Sequence, residues 1–257
     1  MKMLAMVVPC FNEEKRIDIS AWQTIVNKFD GCAWIFVNDG SSDRTSLLLN
    51  KLKGENVYQL DLPTNYGKGN AIRAGLNHVI NPSPFTLLSK LNFSRVGYID
   101  SDGAFDFVDI ETLLSIAEEK MESVPPYKVI IGSRVKLAGR QIKRSKIRHY
   151  LGRLISTFIC QEWEQAPYDT QSGFKIFSLD ASFREAVKTP FRTSWFFDIE
   201  LILRLDNLDS IRIWEVPLVK WEEIGESSIK GARYLDICRQ IITIRSLVKV
   251  HSKNRKF

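Results

Sequence analysis

The chain has 257 residues, 44% hydrophobic and 26% charged, with a formal net charge of +6. Those proportions suit a folded globular protein and exclude wholesale disorder or a polytopic membrane protein. Its four cysteines (Cys10, Cys32, Cys160 and Cys238) lie far apart and it has three histidines, so neither a disulfide framework nor a zinc site is signalled and a reducing cytoplasm is the expected compartment.

Met1 to Cys10 is one short apolar run leading directly into Pro9, Asn12, Glu13 and Glu14. It reads as a buried first strand, not as a signal peptide, and no apolar run approaches the ~20 residues of a membrane span. Further strands are expected at Ala33 to Val37, Val57 to Leu60, Val96 to Ile99 and Val129 to Ile131, with Leu4 to Val8 as the first. Between them Ile17 to Phe29, Ser42 to Leu52, Lys68 to Val79 and Val108 to Met121 carry helical patterns. Alternating apolar strands and helices predict an α/β fold with a mostly parallel sheet covered on both faces. Ile80 to Arg95, with Pro82 and Pro84, reads as a surface insertion. Farther on, Ser145 to Cys160 reads as a basic amphipathic helix, Trp195 to Leu205 as a helix and Ile211 to Val216 as a strand. Tyr234, Ile237, Ile241, Ile244 and Val248 form the stripe of a terminal helix.

Charge is unevenly spread. Ser123 to Gln161 holds nine basic and no acidic residues, and Lys230 onward holds eight basic residues against Asp236 alone. The remainder is therefore net acidic, a separation that suits an anionic surface.

In parallel α/β sheets ligands sit beyond the carboxyl ends of the strands, and three such ends here are rich in acids: Pro9 to Glu14, Asn38 to Asp43 and Asp100-Ser101-Asp102-Gly103. Two carboxylates two residues apart after a buried strand can hold a hard divalent cation, although a solvated turn has the same composition. Asn38 to Asp43 also reads as a strand-to-helix turn, compatible with Asp39 facing a base or ribose. Asn65 to Ala71 places glycines on both sides of Lys68 at a helix start, which suits an anion but is not a Walker loop.

In order, V-P-C-F-N-E-E, V-N-D-G-S-S-D, N-Y-G-K-G-N-A, D-S-D-G and I-G-S-R resemble the inverting nucleotide-sugar glycosyltransferases of family 2, which have the GT-A fold. Tyr168 to Lys175, Phe197 to Glu200 and Val216 to Ile224 narrow the resemblance to the dolichyl- and polyprenyl-phosphate glycosyltransferase branch, with the glucosyl side favoured. It spans roughly Leu4 to Lys230, lacks the N-terminal membrane anchor of the eukaryotic glucosyltransferases, and has Ser172 where their pattern has cysteine. A catalytic domain over 1–230 and a C-terminal basic helix and tail over 231–257 are expected.

The resemblance implies that Pro9, Asn12, Glu13, Asp39, Lys68, Asp100 and Ser101 bind the nucleotide-sugar, a UDP-hexose or GDP-mannose. It implies Asp102, with Asp100, as the ligands of Mg²⁺ or Mn²⁺. Arg134, Gln171, Lys175 and Trp221 would meet sugar and acceptor, and Asp198 would lie near the acceptor. Asp100, Asp102, Arg134 and Asp198 are thus the expected catalytic set.

The expected reaction moves glucose from UDP-glucose to a polyprenyl phosphate, by a peripheral enzyme on the cytoplasmic face of a membrane. On the basic helix Ile142, Ile147, Tyr150, Leu151, Leu154 and Phe158 would enter the interface while Lys143, Arg144, Lys146, Arg148 and Arg153 meet head groups. Packing of this stripe on the domain or on another subunit is the alternative, so an oligomer stays open; no nucleic-acid motif is present. A family 2 enzyme using a hydroxyl acceptor, with Asp198 as general base, is the rival activity. A silent nucleotide-sugar-binding protein is the rival class.

Overall fold

The computed structural model describes residues 3–84, 86–144, 146–223 and 233–254. In chain order the elements are β1 (Met3–Cys10), α1 (Ile19–Lys28), β2 (Cys32–Asp39), α2 (Thr45–Leu49), β3 (Val57–Leu62), α3 (Lys68–Ile80), β4 (Phe93–Ile99), α4 (Phe107–Met121) and β5 (Val129–Ser133). Then follow β6 (Gln141–Lys143), α5 (Lys146–Cys160), β7 (Phe174–Ser178), α6 (Ala181–Ala186), α7 (Phe197–Leu208), β8 (Ile213–Pro217), β9 (Lys220–Glu222) and α8 (Arg233–Asn254).

Seven strands form one sheet in the order β3-β2-β1-β4-β7-β5-β8, and β6 pairs with β9 apart from it. All neighbours in the main sheet are parallel except β7, which runs antiparallel to β4 and β5. The order reverses at β1, whose neighbours are β2 and β4, so the crevice beyond Cys10 and Ile99 is the switch point where α/β sheets place ligands.

Strand alternation divides the core. Ala5, Val7, Ala33, Ile35 and Val37 face one cluster with Ile72 and Leu76 of α3, Ile199 and Ile202 of α7, and Ile244 and Val248 of α8. Met6, Val8, Trp34 and Phe36 face the other, with Trp22 and Val26 of α1 and Leu113 and Ala117 of α4. Each such aliphatic side chain contributes about 1.5–3 kcal/mol by leaving water. Caps fix the helix starts on the second face: Asp18 accepts from the Ser20 and Ala21 N–H groups, and Asp106 from that of Val108. On the first face Gly75 brings α3 close to the sheet, where an added Cβ would stand 2.6 Å from Val7.

Three expectations need correction. β4 begins at Phe93, inside the expected insertion, because Phe93 and Arg95 pair with Met3 and Leu4 of β1; within the same stretch Leu88 is fully buried. β7 lies outside the expected strands, since a lysine at its second position breaks the apolar run. Ile142 does not belong to an interfacial helix face: it lies on β6 opposite Trp221 and packs against the second core cluster.

Candidate active site

The loops after β1 and β2 are built as one unit. Asn12 turns the chain at φ 51°, a left-handed conformation that asparagine tolerates. Its Oδ1 accepts the Ser42 N–H at 2.9 Å, and its own N–H donates to Ser41 Oγ at 3.0 Å. The Glu13 N–H donates to Thr45 Oγ1 at 2.7 Å, and Arg44 donates through Nε to Glu14 at 2.7 Å. Pro9 is half-buried at the end of β1.

Asp39 closes β2 and is itself buried. Its two carboxylate oxygens accept the Tyr66 and Gly67 N–H groups, each at 2.9 Å. Burial raises its pKa, and those amides offset the rise only in part. Asp39 thus ties the end of β2 to the lysine loop at the start of α3.

The acidic rim gathers beyond β1 and β4. Lys68 Nζ meets Asp100 Oδ1 at 2.6 Å, and Asp100, Asp198 and Asp102 together outweigh burial and raise the lysine's pKa. Asp102 accepts the Ala104 N–H at 3.2 Å; burial, then the charge of Asp100, raises its pKa. Burial also lifts Glu13 to about 7 against the pull of Arg16, with Asp102 and Asp100 adding to the rise. Ser101 is buried between the two aspartates, and its carbonyl accepts Trp22 Nε1–H at 2.9 Å. Gly173 makes this packing possible, because a Cβ there would stand 2.1 Å from Asp100 Oδ2.

Two ion pairs floor the other side. Arg134 donates through Nε and Nη2 to the Asp169 carboxylate at 2.7 Å each, its own N–H adds a bond at 2.9 Å, and Nη2 also reaches the Gln171 carbonyl. The guanidinium carbon lies 5.1 Å from the centre of the buried Trp221 ring, within cation–π range. Although burial works the other way, Arg134 holds the Asp169 carboxyl down at about 2. Deeper, Lys175 Nζ donates to Asp198 Oδ1 at 2.9 Å and to the Ser172 carbonyl at 2.6 Å, and the Tyr98 hydroxyl donates to the same Asp198 oxygen. Burial lowers the Lys175 pKa, with Asp198 opposing.

Glu13, Lys68, Asp100, Ser101 and Asp102 therefore lie on one rim, while Arg134, Gln171 and Trp221 form a second group around Asp169. Lys175 departs from its expected contact with sugar or acceptor. It is 0% exposed, and its ammonium serves Asp198 from beneath. Tyr98 and Asp169 were missed as site residues. Tyr98 stands two positions before Asp100, so strand periodicity gives it the same face; Asp169 sits within the quoted Tyr168 to Lys175 block, where no partner for its charge was legible.

A family model described as Glycosyl transferase family 2 matches residues 5–183, and the chain belongs to that family. It is 31% identical over 255 residues, 94% of this chain and 72% of the other, to "Dolichyl-phosphate beta-glucosyltransferase ALG5A" of Trichomonas vaginalis. It is 30% identical to the dolichyl-phosphate beta-glucosyltransferase of Homo sapiens, over 95% of this chain and 75% of that one. Among solved structures, glucosyl-3-phosphoglycerate synthase from Mycobacterium tuberculosis with Mn²⁺, UDP-glucose and phosphoglyceric acid has a TM-score of 0.63 at 17% identity. That match covers 96% of this chain and 80% of the other, and it establishes the GT-A type of fold.

Proposed function

We propose that this glycosyltransferase moves glucose from UDP-glucose, with inversion, onto a dolichyl or other polyprenyl phosphate. One observation carries the reading: a relative named for that reaction is 31% identical across 94% of the chain. The site supports it. Lys68 and the rim of Asp100, Ser101 and Asp102 would receive the diphosphate of the donor, with Asn12, Glu13, Pro9 and Asp39 shaping the nucleotide end.

The donor set suits Mg²⁺ or Mn²⁺. Asp102 and Asp100 offer hard oxygen ligands, and burial with mutual repulsion already lifts the proton affinity of Asp102, a strain that a divalent cation would relieve. Among the described residues no three Asp, Glu, His or Cys side chains form a ready ligand cluster, so the donor's own oxygens would complete the shell. Bound there, the cation would act as a Lewis acid toward the departing diphosphate.

Asp198 is best read as an oriented group, not a general base. One of its oxygens is engaged by a buried ammonium and a tyrosine hydroxyl, so Lys175 and Tyr98 orient it. A phosphate monoester has its second ionisation near pH 6 and is already largely a dianion at pH 7, so it needs placement more than deprotonation. Arg134, Gln171 and Trp221 would supply that placement.

The acceptor is also matched by surface. Tyr150 and Leu154 of α5 are 70% and 68% exposed, and Leu235 and Ile242 of α8 are each 69% exposed. Peripheral seating of this apolar face on an anionic membrane would bring the enzyme to a lipid acceptor. Among the described residues no helix is long and apolar enough to cross the bilayer. Two of the expected head-group cations are engaged within the protein: Lys143 pairs with Glu222 at 3.1 Å, and Arg153 donates to the Tyr168 carbonyl and lies over its ring. The side chains of Lys146, Ile147, Arg148 and Leu151 lie outside the described residues.

A pH profile separates the acceptor classes. With polyprenyl phosphate, kcat/KM should fall below about pH 6 with the acceptor's second ionisation, and the inflection should move upward with a polyprenyl phosphonate, which ionises at higher pH. An inflection that stays in place for both acceptors would mean an enzymic base and would favour the hydroxyl-acceptor alternative.

A further inference from the structure

The segment leading into Asp198 is held from two different helices. Arg204 of α7 donates to the carbonyls of Ala186, Thr189 and Pro190. Glu200, also on α7 and buried, accepts the N–H groups of Arg192 and Thr193 and the Thr193 hydroxyl. Residues 186–193 are therefore fastened by the helix they precede.

Ser194 and Trp195 are fastened differently. Gln240 of α8, only 8% exposed, accepts the Trp195 N–H through Oε1 at 2.8 Å and donates through Nε2 to Ser194 Oγ at 3.1 Å. Nε2 also donates to Asp236 Oδ2 at 2.6 Å, one turn earlier on α8. That carboxylate and the Trp195 N–H leave only one orientation for the amide, since one can only accept and the other only donate. Among the described residues the side-chain hydrogen bonds to Ser194 and Trp195 come from Gln240 alone.

Local sequence does not define the start of α7. Its N-cap, Phe196, provides no side-chain hydrogen bond to the first turn, where Asp198 is the second helical residue. A side-chain cap usually contributes ~1 kcal/mol to such an end. Here the residue just before that N-cap is held from 45 residues away.

We infer that Gln240 is a positioning residue for the acceptor half of the site, acting through the Ser194–Trp195 segment on Asp198 and on the partly exposed Trp195 ring. This rests on the proposed function, with the acceptor end of the site lying near Asp198. It also links α8, whose outer side carries the exposed Leu235 and Ile242, to the reaction centre through one amide group.

The test compares wild type with Gln240→Leu, which keeps the volume and removes the hydrogen bonds, and with Gln240→Glu combined with Asp236→Asn. The double variant reverses the polarity of the clamp: the new carboxylate accepts from the Trp195 N–H, the Ser194 hydroxyl and the new amide. Gln240→Leu should raise KM for a short polyprenyl phosphate about tenfold, the value of one to two hydrogen bonds. KM for UDP-glucose and the calorimetric affinity for UDP should be unchanged, and the double variant should recover most of the loss. Amide exchange at Trp195, measured without any acceptor, should quicken about tenfold in Gln240→Leu and slow again in the double variant. An unchanged acceptor KM, a parallel change in both KM values, or no rescue would overturn the inference. If wild type transfers nothing to polyprenyl phosphate, the functional reading fails; exchange at Trp195 then decides the tether, and an unchanged rate there overturns it too.

Discussion

Asp102→Ala is expected to cut glucose transfer by about a thousandfold, the scale on which a preorganised group facing developing charge contributes, while the protein stays folded. The asymmetry follows from its bonding. Asp102 accepts one backbone N–H at 3.2 Å, whereas the turn around it is fixed by the Trp22 indole on the Ser101 carbonyl and by Asp100 against Gly173. Removing the carboxylate also relieves repulsion with Asp100, so the thermal midpoint should hold or rise slightly. Initial rates at saturating Mg²⁺ or Mn²⁺, with a melting curve of the same sample, check both parts. Activity within tenfold of wild type would remove Asp102 from the proposed chemistry.

Arg134→Ala is expected to cost about 3–5 kcal/mol of stability, because it leaves a buried carboxylate without its counter-charge. Arg134 forms three of its bonds to Asp169 and a fourth to the Gln171 carbonyl. The backbone bond survives truncation, and the guanidinium bonds do not. The pair has a pH signature. Asp169 has a folded pKa depressed from 3.8 to about 2, so its contribution is complete above the unfolded value and is lost as pH falls from about 4 toward 2. Melting curves between pH 2 and 6 should show this acid-sensitive step in wild type and its absence in Asp169→Asn and Arg134→Ala. A wild-type step no steeper than that of the two variants would contradict the assignment.

The first half of the chain was the more legible because its strands are continuous apolar runs and its motifs close those strands. Cys10, Asp39 and Ile99 end β1, β2 and β4, so the polar residues that follow these runs are brought to one rim by topology alone. Lys68 and the Asp100–Asp102 pair came together for that reason. The second half hid its geometry in charge. Lys175 is the second residue of β7, and the resemblance implies for it a contact with sugar or acceptor. Only the sheet order, with β7 between β4 and β5, shows that its ammonium is enclosed and pairs with Asp198 from α7. Arg134 and Asp169 are 35 residues apart, and their pairing likewise depends on β5 and the loop before β7 lying side by side. Periodicity found the stripe of α8, with Ile244 and Val248 in the core, but gave no sign that Gln240 on the same helix reaches the segment before Asp198.

The basic windows are legible in the sequence as charge; which of their side chains are spent on contacts inside the protein is not. Ile142, Lys143 and Arg153 are each engaged within the protein, which narrows the proposed membrane-facing set to the outer sides of α5 and α8. Arg245 belongs to the seam between these helices: its guanidinium lies over the Phe158 ring at 4.2 Å and donates to the Phe158 carbonyl. The apolar face is thus underpinned by a cation that joins the two helices.

The most direct test of the proposed reaction is transfer from UDP-[¹⁴C]glucose to dolichyl phosphate presented in phosphatidylcholine–phosphatidylglycerol vesicles, followed by organic extraction. The proposed function predicts Mn²⁺- or Mg²⁺-dependent label in the organic phase, released as glucose by mild acid and absent with Asp102→Ala. Binding of UDP-glucose without label in the lipid, or label appearing only on a hydroxyl acceptor, would contradict it.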